Sequence, residues 1–269
     1  MCPYTKMKRT KNRMPFELFK KIVDYIIANE LPVRTISLTG MGEPLLDPTI
    51  FKKIEYVKKN TKIKINFATN ASLLTKEKID NLIKSGVDWI NISYNGGTKQ
   101  TYEEIMGINF EKVNKNIMKL IKRKRELNSE KPYITMSCVL LRENASEMNE
   151  IKKRWERYFP VAFNFASNWG GCVEVHDVNK KYRNKKWPCW QLWTKFLIAW
   201  DGTVTGCCPD MVEYTLNLGS VKSQGLLEIW NSPKWKKLRR LHLSREWDKI
   251  PLCKNCNVLY EASVRWWRV

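Results

Sequence analysis

The sequence predicts an α/β protein in which a parallel sheet flanked by helices is followed by a second, smaller unit. The first two-thirds of the chain alternates helical and strand patterns, and its strands are apolar, which is typical of a parallel sheet, either open or closed into a barrel. After residue 168 the chain becomes rich in tryptophan and cysteine. The 269 residues are 43% hydrophobic and 28% charged. This composition indicates a folded chain with one large domain or a large and a small one, and it excludes a disordered or fibrous protein.

The elements of the larger unit follow from hydrophobic periodicity. Apolar residues recur at helical spacing over 19–27, a short buried strand follows at 35–38, and a turn begins at Gly40. The remaining pattern predicts helices at 47–59, 75–85, 99–127 (two helices) and 146–158, and strands at 63–68, 88–94, 133–141 and 161–166.

The smaller unit begins at a loop signal, Asn168-Trp169-Gly170-Gly171, so we divide the chain into residues 1–168 and 169–269. Within the second part, residues 196–200 and 203–205 flank Asp201-Gly202 and predict a β-hairpin with a primed turn, because such turns need positive φ. A helix is predicted at 226–241.

The charge balance is strongly basic. The chain has 48 Lys and Arg against 27 Asp and Glu, a formal net charge of +21. Such a balance attracts nucleic acid, anionic membranes or acidic substrates without choosing among them. The densest basic run, at 119–125, lies on a predicted amphipathic helix, where a solvated face is the favoured interpretation. No apolar run is long enough to span a membrane and the start does not resemble a signal peptide, so we expect a cytoplasmic protein.

Sulfur dominates the candidate metal ligands. Eight cysteines in a chain without a signal peptide indicate metal binding or redox chemistry, and the two histidines, His176 and His242, are too far apart to form a HExxH pair. The strongest pattern is a Cys-x2-Cys pair near the end of the chain, with two further cysteines that the predicted hairpin brings together. These four are Cys189, Cys207, Cys253 and Cys256. Four thiolates suit zinc or an iron–sulfur cluster, and spacing does not decide between them.

The other cysteines receive weaker assignments. Cys138 falls within an apolar strand and is predicted to be a core residue. The pattern leaves the roles of Cys172 and Cys208 open.

A second candidate site follows the first predicted strand, at Thr39-Gly40-Met41-Gly42-Glu43-Pro44. Glycines there let the backbone approach a ligand at the carboxyl end of the sheet, and the Glu43 carboxylate can hold an ammonium group. A helix-capping acid after a strand would give the same pattern.

Taken together, these features resemble a radical S-adenosylmethionine (SAM) enzyme with a C-terminal auxiliary-cluster domain of the SPASM or twitch type. In that superfamily, a Cys-x3-Cys-x2-Cys loop after the first strand holds a catalytic 4Fe-4S cluster, and Cys2-Pro3-Tyr4 matches its third cysteine and the residues after it. The resemblance therefore implies a partial (β/α)6 barrel that lacks its first strand. It also implies an N-terminal truncation, with the ligands of the catalytic cluster partly missing.

The resemblance assigns SAM-binding roles residue by residue. Gly40, Gly42 and Glu43 are similar to the GGE motif, which binds the methionine amino group. Thr69-Asn70 resembles the TNG element, with Ala71 in place of its glycine. Ser93 matches a residue that contacts the ribose or carboxylate, and Leu140 lies on the strand whose backbone meets the adenine.

The four C-terminal cysteines, with Gly202 between the first two, are similar to the twitch pattern of the family that includes 2-deoxy-scyllo-inosamine dehydrogenase. The resemblance implies an oxidoreductase or maturase that generates a 5′-deoxyadenosyl radical, together with a reductant such as flavodoxin or ferredoxin. The expected substrate is a small polar molecule, such as an aminocyclitol or sugar, or a peptide. An auxiliary 4Fe-4S cluster with four thiolate ligands has no open iron, so its expected role is to accept an electron.

Two rival hypotheses remain. One is a basic zinc-binding module that contacts nucleic acid and uses the four cysteines structurally. The other is a degenerate, non-catalytic paralogue. For an enzyme, Asn168, Trp169 and the closing Trp266-Trp267-Arg268 are candidates for the substrate opening, although packing is the commoner role of aromatic residues.

Overall fold

A computed structural model describes residues 2–174 and 186–259. The chain divides into two compact units. One comprises residues 19–165, and the other groups the N-terminal 18 residues with the chain from Ala166 onward. His176 and the closing Trp266-Trp267-Arg268 lie outside the described residues.

The larger unit is a five-stranded parallel sheet with the strand order β1-β2-β3-β4-β5. Its strands are β1 Thr35–Ser37, β2 Lys64–Thr69, β3 Trp89–Ser93, β4 Tyr133–Leu140 and β5 Val161–Phe165. The accompanying helices are α1 Phe16–Ala28, α2 Ile50–Asn60, α3 Lys76–Lys84, α4 Lys99–Met106, α5 Phe110–Glu126 and α6 Met148–Trp155. The predicted α/β class with a parallel sheet is confirmed. The structure adds that the five strands lie in chain order.

The strands alternate between an apolar and a polar face. Ile65, Phe67, Ile90 and Ile92 are buried, with exposures of 0–1%, and form part of the core of this unit. The opposite face is mostly polar: Asn66, Asn91, Ser93, Thr135 and Ser137 lie on it, together with the apolar residues Ala68, Trp89 and Val139. A parallel sheet buried on both sides would be apolar on both faces, so the polar face is a candidate ligand surface.

The basic run at 119–125 lies on α5. One side of this helix is buried, at Val113, Ile117 and Leu120. On the other side, the Arg123 guanidinium is 2.6 Å from the Asp80 carboxylate, and Lys122 has an 81% exposed side chain. The run is a partly ion-paired helix face, as the composition favoured.

The smaller unit has an antiparallel sheet of order β6-β7-β8. Its strands are β6 Leu197–Ile198, β7 Thr203–Thr205 and β8 Gly219–Ser220, and its helices are α7 Gln191–Thr194, α8 Leu226–Trp230, α9 Pro233–Leu243 and α10 Pro251–Lys254. The predicted hairpin is present as β6 and β7.

Two local predictions for this unit were wrong. The hairpin loop is not a primed turn. In the stretch 200–202 only Gly202 has positive φ, at 91°, and its N–H donates to the Ala199 carbonyl, as in a turn followed by a glycine bulge. The single helix predicted at 226–241 is two helices, α8 and α9. Ser232 caps α9 and Pro233 begins it, since proline has no N–H to continue the preceding helix.

The N-terminal segment packs on the smaller unit, whereas the sequence analysis assigned it to the barrel. The Lys8 amide donates to the Glu213 carboxylate at 2.7 Å. The Arg9 guanidinium lies 2.7 Å from the Asp201 carboxylate and 4.4 Å from the centre of the Tyr214 ring. These contacts group residues 1–18 with the chain from 166, while the predicted division after residue 168 lies close to the observed one at 165.

Among the residues that the structure describes, no helix is long and apolar enough to cross a membrane.

We expect the Arg9–Asp201 pair to stabilise the smaller unit by about 1 kcal/mol, because both side chains are mostly buried and the charges are in contact. A double-mutant cycle with Arg9→Ala and Asp201→Asn, measured by urea unfolding, checks the coupling energy. The exposed Lys249–Glu246 pair is the control and should couple near zero. Equal coupling for the two pairs would contradict the prediction.

The same pair predicts a pH dependence. Burial opposes ionisation of Asp201, but hydrogen bonds from Thr203 and the Arg9 guanidinium together lower the pKa of its carboxyl below the ordinary value of 3.8. The stabilisation is therefore fully present above that value and is lost as pH falls through the lowered pKa. Asp201→Asn should lose less stability on acidification than the parent chain in the same unfolding measurement.

Candidate functional site

Glu43 lies beyond β1 and binds the end of β2. Its Oε1 accepts hydrogen bonds from the Thr69 hydroxyl at 2.7 Å and the Leu45 amide at 3.1 Å, and its Oε2 accepts one from the Asn70 amide at 2.8 Å. The structure thus brings Glu43, Thr69 and Asn70 together at the carboxyl edge of the sheet. Glu43 also caps the short helix Pro44–Leu46, as the capping interpretation of this acid predicted.

Gly40 and Gly42, which precede Glu43, leave their stretch of backbone without side-chain cover. A Cβ built on Gly40 would meet nothing within 4 Å, so packing does not require glycine there. Gly42 has φ 109°, a conformation that favours glycine. Both residues are exposed, so a ligand has direct access to their peptide groups.

Ala71 keeps a glycine-like conformation without being glycine. It is fully buried and has φ 60°. Asn116 on α5 holds this turn, because its Nδ2 donates to the carbonyls of Ala71 at 3.0 Å and Ser72 at 3.2 Å. The amide of Ala71 donates to the Thr69 hydroxyl at 3.1 Å. Sequence reasoning missed Asn116, since a lone Asn on an amphipathic helix carries no distinctive signal.

The ends of β3 and β4 supply Ser93 and Leu140. Both are half-buried, and in the parallel register Ser93 pairs with Ser137 while Leu140 pairs with Phe165 on β5. Because all five strands are parallel, Ser93 and Leu140 lie at the same edge of the sheet as Glu43 and Thr69.

The polar face of the sheet carries two side-chain hydrogen-bond groups that sequence reasoning missed. The Ser37 hydroxyl donates to Asn66 Oδ1 at 2.9 Å. Asn91 Nδ2 donates to the Ser137 hydroxyl at 2.7 Å, and the Thr135 hydroxyl donates to Asn91 Oδ1 at 3.1 Å. The polar positions that alternate along each strand were the available signal.

Four cysteines converge in the smaller unit. Cys253 on α10 and Cys256 just after it are buried in an apolar cluster with Trp247, Ile250 and Leu259, and Cys189 packs against the same cluster. Cys207, which follows β7, is 9% exposed, and its pKa is raised well above the ordinary value by burial first and then by the thiols of Cys189, Cys253 and Cys256. The structure therefore brings the predicted set together from three distant segments.

Burial sets the chemistry of these thiols. It raises the pKa of Cys189 to about 11 and that of Cys253 to about 12, with the neighbouring thiols adding to the effect. Burial also raises the pKa of Cys207 well above its ordinary value and raises that of Cys256. Thiols buried in an apolar environment are poor thiolates by themselves, and a bound cation reverses that preference.

Backbone amides point at three of the sulfurs. The N–H of Gln191 donates to Cys189, that of Asp210 to Cys207, and those of Val258 and Leu259 to Cys256, and each bond favours the thiolate. Hydrogen bonds to ligating sulfur are a recurring feature of iron–sulfur sites. Four cysteines with such donors fit a thiolate-ligated cluster by the chemistry of the donor set. Within residues 2–174 and 186–259, no three His, Cys, Asp or Glu side chains stand ready to hold a metal ion.

Two buried polar residues next to the cysteines were missed. Asp210 is 2% exposed, and its carboxylate accepts hydrogen bonds from Thr205, Thr215 and Leu216, which fixes the loop after Cys207. His242 is 1% exposed and contacts two of the cysteines. Its distance in sequence from any other histidine hid this role.

Of the other four cysteines, Cys208 directly follows Cys207 and contributes to the raised pKa of Cys189. Cys2 is exposed, Cys138 is fully buried as predicted, and Cys172 and Cys208 are half-buried. The Lys195 ammonium lies 3.6 Å from the Cys208 sulfur.

Asn168, a candidate for the substrate opening, has a structural partner. Its backbone amide donates to Asn257 Oδ1 at 3.0 Å, and its Oδ1 accepts from the Asn257 backbone amide at 3.1 Å. These bonds tie the loop that begins at Asn168 to the segment after Cys256. Neighbouring Trp169 is half-buried.

The sequence matches two family profiles. The profile of the Radical SAM superfamily matches residues 1–154, and that of the SPASM iron-sulfur cluster-binding domain matches residues 189–257. The second match runs from Cys189 to the residue after Cys256, so it covers all four cysteines. The family resemblance stated from the sequence motifs is confirmed.

Known relatives extend over most of the chain. The tungsten-containing aldehyde ferredoxin oxidoreductase cofactor-modifying protein of Pyrococcus furiosus is 25% identical over 306 residues, covering 96% of this chain and 83% of that protein. The SAM-dependent 2-deoxy-scyllo-inosamine dehydrogenase of Niallia circulans is 22% identical over 266 residues, covering 95% and 86%. The crystal structure of Streptococcus suis SuiB bound to precursor peptide SuiA is 16% identical, with a TM-score of 0.69, and the match covers 89% of this chain and 63% of SuiB. The last similarity is one of fold.

The burial of the four cysteines predicts their reactivity. In the metal-free chain at pH 8, iodoacetamide should modify exposed Cys2 much faster than Cys189, Cys207, Cys253 and Cys256, because raised pKa values leave those thiols protonated and burial blocks access. Peptide mass spectrometry over a time course gives the order. Modification of Cys253 and Cys256 at the rate of Cys2 would show that the cluster is open.

The hydrogen bonds of Asn116 predict a stability effect. Asn116→Ala should destabilise the chain by about 2 kcal/mol, because it leaves two carbonyls of a strained, buried turn without their donor. The control is Asn60→Ala, which removes an exposed amide bonded to the Tyr56 carbonyl and should cost less than about 0.5 kcal/mol. Urea unfolding of both variants checks the difference, and equal effects would remove the support assigned to Asn116.

Proposed function

The chain belongs to the Radical SAM superfamily, and we propose that it binds SAM at the carboxyl edge of its five-stranded sheet and an auxiliary 4Fe-4S cluster at its four C-terminal cysteines. It is an enzyme of the oxidoreductase or maturase type, with SAM and iron–sulfur clusters as its cofactors. The observation that carries this proposal is that Cys253 and Cys256 lie in one buried apolar cluster against which Cys189 packs, with buried Cys207 near enough that these three thiols add to the rise of its pKa.

When bound, these cofactors supply a 5′-deoxyadenosyl radical that removes a hydrogen atom from the substrate, and an acceptor for the electron that the substrate radical then gives up. The protein's task is to position the substrate carbon and exclude water around it.

Glu43 is the residue we assign to the methionine ammonium. Three hydrogen bonds fix its carboxylate in place, and a carboxylate oxygen accepts more than one bond, so acceptor capacity remains for a charged donor. Gly40 and Gly42 would give the ligand backbone contacts beside it. Thr69 and Asn70 orient Glu43 from the next strand. Ser93 and Leu140 are proposed to line the ribose and adenine ends of the same edge.

The auxiliary site favours electron transfer over substrate binding. Four cysteines supply one thiolate for each iron of a four-iron cluster, so the protein leaves no iron open for substrate. The surrounding side chains of Trp247, Ile250 and Leu259 exclude water from the site. Cys189, Cys207, Cys253 and Cys256 would therefore hold an electron acceptor, which suits a net oxidation or a cross-link.

For the catalytic cluster we rely only on Cys2, which matches the third cysteine of the superfamily's ligand motif. We assign Cys2 as one ligand and derive no catalytic step from the cluster it would join.

The polar face of the sheet supports a polar substrate. Asn66, Asn91, Thr135 and Ser137 present amide and hydroxyl groups on a face where a structural sheet would be apolar. The Niallia relative is named for dehydrogenation of an aminocyclitol, and SuiB is described with a precursor peptide. We propose a small polar molecule or a peptide segment as the substrate of this chain.

The electron source is proposed to be a small acidic electron-transfer protein such as flavodoxin or ferredoxin. The formal net charge of +21 provides the electrostatic attraction for such a partner. The same charge would attract nucleic acid, but no described contact favours that ligand over a redox partner.

The assignment of Glu43 gives the test of the proposed function. Glu43→Gln should weaken SAM binding at least tenfold, because it removes the negative charge opposite the ammonium group while keeping the size of the side chain. Equilibrium dialysis of anaerobically reconstituted protein with labelled SAM measures this change. The control is Glu77→Gln, an exposed acid in the first turn of α3, which should bind SAM as the parent chain does.

The outcome against the proposal is equally clear. If the parent chain and Glu43→Gln bind SAM equally, the carboxyl edge of the sheet is not the SAM site. An equal loss of binding in Glu77→Gln would show that the effect of Glu43→Gln is not specific to that edge.

A further inference from the structure

His242 lies between two of the four cysteines. It is on α9 and is 1% exposed. Its Nδ1 accepts a hydrogen bond from the backbone amide of Cys189 at 3.2 Å, and its Nε2 lies 3.5 Å from the Sγ of Cys253. One imidazole ring therefore bridges two candidate ligands that are 64 residues apart in the chain, from the difference between 253 and 189.

The hydrogen bond at Nδ1 determines the direction of the hydrogen bond at Nε2. A ring nitrogen that accepts from an amide N–H carries no proton, so Nδ1 is the unprotonated nitrogen of the ring. The proton is then on Nε2, the nitrogen that faces Cys253, and the contact at 3.5 Å is an N–H···S hydrogen bond with His242 as the donor. The backbone amide of Cys189 thus selects the tautomer in which Nε2 donates to the Cys253 sulfur.

The surroundings make this bond strong. Trp247, Ile250 and Leu259 pack around Cys253, and the Trp247 ring centre is 6.3 Å from that of His242. Electrostatic interactions are larger in such an apolar environment than in water. The other cysteines receive donors from backbone amides, whereas Cys253 receives one from a side chain that mutation can change.

We propose that His242 is a positioning residue of the auxiliary cluster, which orients the Cys189 and Cys253 segments and, through its Nε2–H bond to Cys253, raises the reduction potential of that cluster. The inference rests on the proposed function, since it needs a cluster at the four cysteines. Reduction adds negative charge that spreads onto the ligating sulfurs, and a donor pointed at one sulfur stabilises the reduced form more than the oxidised form. His242 thereby makes the auxiliary cluster a better electron acceptor.

Two substitutions separate the two bonds of His242. In His242→Asn the side-chain oxygen can take the place of Nδ1 and accept from the Cys189 amide, but the side chain is too short to reach Cys253. In His242→Gln the longer amide can place an N–H near the position of Nε2. Ile250→Val is the matched control, because it loosens the same apolar cluster without touching either hydrogen bond.

The measurement is an anaerobic redox titration of the reconstituted full chain, followed by electron paramagnetic resonance of the reduced cluster. His242→Asn should make reduction about tenfold less favourable, a fall of about 59 mV for a one-electron couple. His242→Gln should recover part of the shift, and Ile250→Val should match the parent chain. An unchanged potential in His242→Asn, or an equal fall in Ile250→Val, overturns the proposal.

A second measurement uses only the parent protein, so its result does not depend on whether a variant folds. In the reduced parent protein labelled with ¹⁵N-histidine, pulsed electron paramagnetic resonance should show one weak nitrogen coupling, as expected across a hydrogen bond. No nitrogen coupling, or a strong one typical of direct iron ligation, overturns the role of His242. A parent chain that holds no iron after reconstitution overturns the proposed auxiliary site as well, so the two failures are distinguishable.

Discussion

The smaller unit depends on one constraint. It must keep four sulfurs together in an apolar environment, although their thiolate forms would repel one another. Burial raises the pKa values of Cys189, Cys207, Cys253 and Cys256, so the metal-free protein holds them as thiols. Backbone amides and His242 then supply donors that favour the charged form. A site with both properties is poised for a cationic cluster: it is stable without the charge, and it is already lined with the groups that the ligating thiolates need.

The larger unit meets a different requirement, which is to present polar groups together at the carboxyl edge of its parallel sheet. Parallel strands place their carboxyl ends on one side, so Glu43, Thr69 and Ser93 reach the same edge although they are far apart in sequence. Glu43 is fixed both by the end of the next strand and by the Leu45 amide of its own loop, which pre-organises the carboxylate for a cation. Ala71 and Asn116 show that the turn after β2 keeps its shape even without a glycine.

The sequence predicted the α/β class, the five strands of the parallel sheet and the set of four cysteines. These depend on hydrophobic periodicity and on residue types with few alternative roles. It did not predict the break between α8 and α9 or the form of the hairpin turn, since these depend on the position of one proline and on the sign of single φ angles. His242, Asp210 and Asn116 were missed for a related reason. Each acts through a hydrogen bond to a partner distant in sequence, and a single sequence carries no periodic trace of such contacts.

The central claim is that the four C-terminal cysteines hold a four-iron cluster rather than a single zinc. Its most direct test is the iron, acid-labile sulfide and zinc content of the anaerobically purified chain, compared with a Cys253→Ser/Cys256→Ser variant and with Cys138→Ala as the control for a buried cysteine outside the site. The account predicts about four irons and four sulfides in the parent chain and in Cys138→Ala, both lost in the double variant. One zinc with no iron, lost in the same double variant, would contradict it and make the site structural.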